Sequence, residues 1–494
     1  MTGPVPVPDP LEPAAPDAQH APAAGRPAPS ATRSVLGRGS LYTLATAGPA
    51  LAALAVVPVV TRLIPVDQYD LVSVATVVVQ VVYILVALGL GAAITRQYIL
   101  DADGAPGARG TVLAGAGIAA VLTAVLVVAG PLWSPVLLGR PFTVEIVLAL
   151  VAGVGGAWMV LAQAYLRGAD RPGPFVLLAV AASLVGPAVG LVAVMSTGRH
   201  ATVYLAGVAA GYLLAGVAGL VLVVRSGPVR LTRRGVLDSL RVGAPTVPHQ
   251  VSLYLALAGL VVVADRVLGD GGRANVALTI GAGATVVTAG LNNAWAPVVY
   301  RAAPTDRGRV LDETSRVIAL ITVVLAGGVS LLSPWLVRLA APASYRPADL
   351  VPAVALACAA ALPSVLYLAS GHLVFARGRT GWLAVSTPLA VAGGLASAVG
   401  LTSAWGLVGI GAGYLVAYLL LAVATTAVQR HVAEHPWWPP AMPASVALWP
   451  AVAVAGALLP VAGTWSLLRV AAAVLLGAGG LLAVRRLGPG QPIR

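Results

Sequence analysis

Residues 71–94 read LVSVATVVVQVVYILVALGLGAAI and contain no charged side chain. A helix that crosses the hydrocarbon core of a bilayer needs about 20 apolar residues, so this stretch predicts a membrane-spanning helix. The same pattern recurs between short polar breaks and predicts fourteen spans. They lie at 41–61, 71–94, 111–132, 144–166, 174–197, 201–224, 242–264, 275–298, 317–340, 349–375, 382–403, 406–428, 444–462 and 465–484. The alternative is twelve spans, with the last two segments misread.

The composition also places the chain in a bilayer. Charged residues make up 10% of the 494 residues and apolar residues 59%, whereas a soluble domain carries roughly 25% charged residues. The net charge of +13 is explained by loops that meet water and anionic headgroups, so nucleic-acid binding is not predicted. The single cysteine, Cys358, lies in an apolar run and predicts a small core residue without an internal disulfide.

The arginines orient the predicted spans. The chain has 30 arginines and no lysine, and assigning the polar breaks alternately to two sides puts 22 of them on one side. Positive charge is retained in the cytoplasm during insertion, so both termini are predicted to be cytoplasmic. The other eight arginines, on the predicted outer side, are Arg62, Arg140, Arg199, Arg266, Arg273, Arg338, Arg346 and Arg469.

The chain divides into two predicted lobes of six spans each. Residues 1–32 are rich in proline and alanine and acidic where a secretory signal would be basic, which predicts a disordered cytoplasmic tail. The N-lobe is predicted at 33–224, a basic cytoplasmic linker at 225–241 and the C-lobe at 242–430. The last two spans and a C-terminal tail take up 431–494. The predicted fold class is therefore an all-α polytopic membrane protein.

The spacing of four arginines supports an internal repeat. Arg62 and Arg96 follow the first two segments and are 34 residues apart (96 − 62). Arg266 and Arg301 follow the seventh and eighth segments and are 35 residues apart (301 − 266). Two parallel halves that move against each other around a central site are a common transporter plan.

The stretch from Ser40 to Tyr98 carries a family resemblance. It contains Pro58, Thr61-Arg62-Leu63, Pro65 and Tyr69, with Asp70 where the family usually has glycine. Further matches are Asp265-Arg266, Ala294-Trp295-Ala296-Pro297 with Tyr300, Leu331-Leu332-Ser333-Pro334 through Tyr345, and the glycine-rich turn 406–412. In this order the motifs resemble the polysaccharide flippases of O-antigen or teichoic-acid type, within the multidrug/oligosaccharidyl-lipid/polysaccharide exporter superfamily.

The resemblance implies a flippase of the bacterial plasma membrane. Such a protein moves a polyprenyl-diphosphate-linked oligosaccharide from the cytoplasmic to the outer leaflet for cell-envelope polysaccharide assembly. The implied partners are this glycan, the lipid bilayer, and a polymerase or glycosyltransferases of envelope assembly. No cofactor and no metal are implied. By analogy with lipid II flippases, the last two spans would form a groove for the polyprenyl tail.

Three polar stripes indicate where a cavity for such a substrate would lie. Ser73, Thr76, Gln80 and Tyr83 recur at helical spacing in the second segment. The seventh segment carries Thr246, His249, Gln250 and Tyr254, and the eighth carries Thr285, Thr288, Asn292 and Trp295. Residues at this spacing share one side of a helix, and in a bilayer that side turns away from lipid. Each stripe predicts either a polar cavity or hydrogen-bonded packing between helices.

Arginines are the candidate phosphate ligands, because their planar fork binds phosphate oxygens in pairs. Arg96 and Arg301 have a ready explanation as topology signals, whereas Arg62 and Arg266 lie on the predicted outer side and are candidates for substrate or gate contacts. Asp265 is expected to neutralise Arg266. His249 is either a hydrogen-bonded core residue or a proton carrier.

The acidic residues separate the alternative functions. None of the seventeen falls centrally in a predicted span, whereas cation-coupled drug exporters generally need an intramembrane carboxylate. A cation-coupled exporter of small amphiphiles is therefore the first alternative, and a polysaccharide polymerase or ligase and a non-transporting scaffold are the others. A phosphate-binding glycine loop with lysine, a metal-spaced His/Cys set and a nucleophile elbow are all missing from the sequence, so no enzyme is predicted.

Overall fold

The computed structural model describes residues 55–487 except 102, 170, 378, 439–448, 450, 452 and 454. Residues 55–63 form the described part of α1. The following helices are α2 (Val66–Val86), α3 (Leu90–Leu100), α4 (Gly104–Val128), α5 (Gly130–Leu138), α6 (Val144–Gly168), α7 (Pro172–Val180), α8 (Gly186–Thr197), α9 (Ala201–Arg225), α10 (Arg233–Gly243), α11 (Val247–Leu268), α12 (Gly271–Gly281), α13 (Gly283–Arg301), α14 (Arg307–Ala340), α15 (Pro347–Ala359), α16 (Ala361–Ala376), α17 (Leu383–Trp405), α18 (Leu407–Val432) and α19 (Thr464–Leu487). The predicted all-α fold class is confirmed.

The described residues contain eleven helical stretches that are long and apolar enough to cross a membrane, where α7 with α8, α10 with α11 and α15 with α16 each count as one stretch. The number is twelve if α12 and α13 form one bent span. Most of the first predicted segment and part of the thirteenth lie outside the described residues, as does the predicted tail 1–32. The total of fourteen spans therefore stays a prediction. A backbone inside a bilayer must satisfy its own hydrogen bonds, which an α-helix does. An apolar segment of sufficient length therefore predicts a helix.

Small residues allow the closest helix contacts in the N-lobe, where α6 packs on α2, α4 and α9, and α8 packs on α9. A Cβ atom on Gly207 would lie 2.2 Å from the backbone nitrogen of Gly190, and one on Gly211 would lie 2.3 Å from the Cα of Gly186. These glycines let the backbones of α8 and α9 touch, as is common where van der Waals packing drives helix association in membranes.

The second span of each lobe is interrupted. In the N-lobe, α2 ends at Val86 and α3 begins at Leu90, with positive φ angles at Leu88 and Gly89 between them. In the C-lobe, α12 and α13 meet at an angle of 51°. The two interrupted helices occupy equivalent places in the two predicted repeats.

The predicted linker 225–241 contains a helix. After an irregular segment, the Thr232 hydroxyl accepts a hydrogen bond from the Gly235 N–H at 3.2 Å and caps α10. This helix packs on α3 and α4, and its arginines Arg233, Arg234 and Arg241 are exposed. It therefore joins the lobes as an ordered element.

Arg469 holds α19 against α14. Its side chain is completely buried and donates hydrogen bonds to the main-chain carbonyls of Leu331 (3.2 Å), Gly456 (3.0 Å), Leu459 and Pro460 (3.4 Å). A buried guanidinium is costly unless its N–H groups are paired, and here the carbonyls pair them.

We expect Arg469→Ala to lower the stability of the protein by about 3 kcal/mol, because it leaves buried carbonyls without donors and opens a cavity. Thermal unfolding in detergent measures the effect. Arg199→Ala is the matched control, because Arg199 is exposed and a surface substitution of this kind changes stability by about 0.5 kcal/mol or less. Equal melting temperatures for the two variants would contradict this role of Arg469.

Candidate functional site

Two arginines at the predicted outer end connect the lobes in an equivalent way. Arg62, at the end of α1, donates from Nη2 to the carbonyl of Arg338 in α14 at 3.4 Å. Arg266, near the end of α11, donates from Nη1 to the carbonyls of Val136 (3.1 Å) and Leu137 (3.4 Å) in α5. Each arginine thus lies at or near the end of the first helix of its predicted lobe and reaches carbonyls of the other predicted lobe, in α14 for Arg62 and in α5 for Arg266.

A bidentate ion pair lies beside Arg266. Arg140, in the loop after α5, donates from Nε to Oδ2 of Asp265 at 2.6 Å and from Nη2 to Oδ1. The Asp265 side chain is 2% exposed and that of Arg140 is 31% exposed. The hydrogen bond with Asp265 raises the pKa of the Arg140 guanidinium above its ordinary value. The expectation that Asp265 neutralises Arg266 is wrong: its ion pair is with Arg140, across the lobes.

Asp70 makes a second contact between the lobes. It lies in the second turn of α2, is 7% exposed, and its carboxylate accepts a hydrogen bond from the Gly272 N–H at the start of α12. A carboxylate at a helix N-terminus also benefits from the helix dipole. Next to it, the Asn275 amide donates to the Tyr69 hydroxyl at 3.1 Å. A glycine at position 70 would lack the carboxylate that accepts the Gly272 hydrogen bond.

Arg273 organises the C-lobe side of this interface. Its side chain is 5% exposed, and its guanidinium donates to Asp270 (2.9 Å), to Asp349 (3.1 Å) and to the carbonyl of Tyr345 (2.9 Å). The Tyr345 ring in turn meets the Tyr69 ring of α2 edge-on, with centroids 6.0 Å apart. Arg273 therefore positions an aromatic contact between the lobes.

The predicted polar stripe of the second segment lies on α2, which packs on α11 and α12 of the C-lobe. Thr76 is exposed and Gln80 is half-buried, although both lie in the middle of a span. Tyr83 meets Tyr254 of α11 edge-on at a centroid distance of 6.2 Å. Two of the predicted site residues, Tyr83 and Tyr254, are thus brought together between the lobes.

The predicted stripe of the seventh segment does not share one face. Gln250 is exposed and donates to the Thr246 hydroxyl at 2.9 Å. His249 instead contacts the C-lobe interior, since its Nδ1 lies 2.9 Å from the hydroxyl of Thr387 in α17. Positions 249 and 254 are about 140° apart around a helix of 3.6 residues per turn. His249 therefore points away from the contact that Tyr254 makes with Tyr83.

The predicted stripe of the eighth segment packs against α14. Trp295 is completely buried and donates from its indole N–H to the Thr314 hydroxyl at 2.7 Å, and its ring lies 4.8 Å from that of His372. Thr288 is hydrogen-bonded to Thr322 at 2.8 Å. Trp295 therefore packs between helices in this structure, and its predicted role in lining a cavity stays a prediction. Asn292 is half-buried on the same helix.

The two predicted arginines of the cytoplasmic side are less informative. Arg96 is exposed on α3. Arg301 ends α13, and its side chain lies outside the described residues. Within the described part of the chain, no group of three or more His, Cys, Asp or Glu side chains could hold a metal ion.

The sequence prediction missed the contacts that Arg140 and Asp70 make between the lobes. A signal was present for Asp70, which departs from the family pattern. For Arg140 there was none beyond its place on the predicted outer side, because its partner lies 125 residues away.

The comparisons with known proteins agree with this architecture. Residues 36–299 match the model of a family described as polysaccharide biosynthesis protein, and a search of curated proteins finds no match. The fold is similar to the lipid II flippase MurJ in an inward closed conformation, with 12% identity over 90% of this chain and 99% of that chain and a TM-score of 0.64. It is also similar to an inward-facing multidrug resistance MATE family transporter of the MOP superfamily, with 19% identity over 78% of this chain and 94% of that chain and a TM-score of 0.56. These likenesses show the fold that the chain shares with both classes of transporter.

Proposed function

The chain belongs to the polysaccharide biosynthesis protein family, and from this membership we propose that it is a flippase for a polyprenyl-diphosphate-linked oligosaccharide. It moves the headgroup from the cytoplasmic to the outer leaflet of a bacterial plasma membrane, with both termini cytoplasmic, for envelope polysaccharide assembly. The polymerase or glycosyltransferases of that assembly are its proposed partners.

The observation that carries this proposal is the paired contact of Arg62 and Arg266 across the lobes at the predicted outer end. Contacts with backbone carbonyls hold the lobes together there without a buried carboxylate for either arginine. When the lobes separate, both guanidinium groups lose these carbonyls and are free to bind phosphate oxygens. Alternating access would thus exchange a protein contact for a substrate contact.

Polar side chains between the lobes support a hydrated path for the sugar headgroup. Crossing hydrocarbon unaided is prohibitive, since each unsatisfied polar group costs several kcal/mol. Thr76 and Gln250 are exposed and Gln80 is half-buried. They lie on α2 and α11, which pack on each other, and Tyr83 and Tyr254 meet between these helices. We propose these residues as headgroup contacts, and Arg96, Asn292 and Arg301 as further contacts towards the cytoplasmic side.

The test is transport in proteoliposomes of a fluorescent polyprenyl-diphosphate oligosaccharide, followed with a membrane-impermeant quencher. We expect flipping above that of protein-free liposomes, slowed about tenfold by Arg62→Ala or Arg266→Ala, which corresponds to about 1.4 kcal/mol of barrier. Arg309→Ala is the matched control, because Arg309 forms an exposed ion pair with Glu313. Flipping that neither variant slows would remove both arginines from the path, and no flipping at all would refute the function.

A cation-coupled exporter of small amphiphiles remains the second candidate because of Asp70. This buried carboxylate lies between the lobes, where an exporter would bind its coupling cation. Export of a fluorescent amphiphile that depends on a proton or sodium gradient and disappears in Asp70→Asn would favour the exporter. Flipping of the lipid-linked glycan that persists in Asp70→Asn favours the flippase.

A further inference from the structure

An apolar groove separates the lobes on one side of the molecule. It has a volume of about 880 Å³ and is lined by α2, α4, α5, α11 and α17, a size within the range of about 300–1,000 Å³ that ligand pockets occupy. We call this cavity the lateral groove. Leu137 and Val399, at its edges, are 62% and 44% exposed, so the groove is open towards the surrounding lipid.

The lateral groove follows the axis of α11, a candidate membrane span. Its wall on α11 extends from Leu255 to Val267, which is about 18 Å at about 1.5 Å per residue. The hydrocarbon core is about 30 Å thick. The groove therefore extends from the predicted outer end to beyond the middle of the bilayer.

The polarity of the lateral groove is strongly uneven. Its lining is aliphatic or aromatic apart from Gly259 and Arg266, and Arg266 lies at the predicted outer end. The hydrogen bonds of this guanidinium to Val136 and Leu137 both come from Nη1, so it has further N–H groups for a ligand. A cation at one end of an apolar channel complements an amphiphile with one anionic head and one long chain.

We propose that the lateral groove binds the isoprenoid chain of a polyprenyl-phosphate lipid, with the phosphate at Arg266. This inference deepens the proposed function, because it assigns the tail of that substrate to a site between the lobes. The site is distinct from the last two spans, where the family analogy would place the tail. Binding here keeps the chain in hydrocarbon while the phosphate and its sugar headgroup lie at the predicted outer end.

The experiment uses the full chain in nanodiscs with a diazirine-bearing polyprenyl phosphate. After illumination, mass spectrometry identifies the labelled peptides. We expect label on α2 and α11, displaced by unlabelled polyprenyl phosphate but not by an excess of phosphatidylglycerol. Val263→Trp, which fills the groove, and Arg266→Ala should each weaken labelling about tenfold, the change that about 1.4 kcal/mol of binding free energy produces.

Val423→Trp is the matched control, because Val423 is 67% exposed on α18 and does not line the groove. Label spread over other lipid-facing helices, equal displacement by phosphatidylglycerol, or labelling unchanged in Val263→Trp would each overturn the proposal. Because labelling requires no transport, these failures are separate from those of the flippase. Flipping without groove labelling would support the flippase function and refute the groove site. Groove labelling without flipping would support the groove site and refute the flippase function.

Discussion

Arg140→Ala is expected to open the predicted outer end of the protein. Asp265 is buried and pairs with Arg140 through two hydrogen bonds, so removing the cation leaves an uncompensated carboxylate. Breaking a buried ion pair in this way costs about 3–5 kcal/mol. The cost falls on the state in which the lobes touch here, and the equilibrium moves towards the state in which they are apart.

Labelling of Ser73→Cys measures that shift. Ser73 is 1% exposed and lies one turn beyond Asp70 on α2, and Cys358→Ala removes the only native cysteine. In this background a membrane-impermeant maleimide, added from the predicted outer side, should label Arg140→Ala more than tenfold faster than the parent. The reason is that about 1.4 kcal/mol already changes an equilibrium tenfold.

Exchanging the two charges separates the ion pair from a general loss of structure. Arg140→Asp combined with Asp265→Arg should restore slow labelling, at least in part, whereas each single reversal should accelerate it. Arg309→Ala serves again as the control, since an exposed pair contributes only about 0–1 kcal/mol. If Arg140→Ala labels at the rate of Arg309→Ala, the ion pair does not hold the lobes together.

Adjacent residues in the sequence were a poor guide to this pair. Asp265 and Arg266 follow each other on α11, which favours a local ion pair. Consecutive helical residues, however, point about 100° apart, so Asp265 meets Arg140 while Arg266 meets the α5 carbonyls. Helical spacing predicts which face a residue occupies, but it does not predict which neighbouring helix or loop lies against that face.

The same limit explains the outcome of the polar stripes. Periodicity correctly showed that Thr288 and Trp295 share a side that faces away from lipid. Whether that side meets water or another helix depends on the hydroxyls that α14 presents, Thr314 and Thr322. The spans themselves were readable because a bilayer imposes a length and a composition on each helix.

The break between α2 and α3 could not be predicted from the sequence, because Leu88 and Gly89 lie in an uninterrupted apolar run. There Gly89 has φ +65°, and a Cβ atom on it would lie 2.2 Å from the carbonyl oxygen of Gly243 and 2.6 Å from the Thr246 hydroxyl. The backbone of the second span thus touches the junction of α10 and α11. This is a contact between the N-lobe and the segment that enters the C-lobe.

Gly89→Ala is therefore expected to reduce both folding yield and flipping strongly. The left-handed conformation alone costs a residue with a side chain about 1–2 kcal/mol, and the clash with the Gly243 backbone adds to it. Thermal unfolding in detergent and flipping in proteoliposomes measure the two losses. Gly328→Ala makes the same chemical change in α14, where nothing lies within 4 Å of the added atom. It should stabilise the helix by about 0.5–1 kcal/mol.

Gly243→Ala distinguishes strain from contact. Gly243 has an ordinary φ of −80°, but a Cβ atom there would lie 2.8 Å from the Gly89 backbone. A variant that unfolds at the parent temperature yet flips slowly would show that close approach of the two glycines is needed for movement. If Gly243→Ala behaves like Gly328→Ala while Gly89→Ala fails, the left-handed turn is what matters. Movement of the lobes would then depend on the break between α2 and α3 and not on the contact of Gly89 with Gly243.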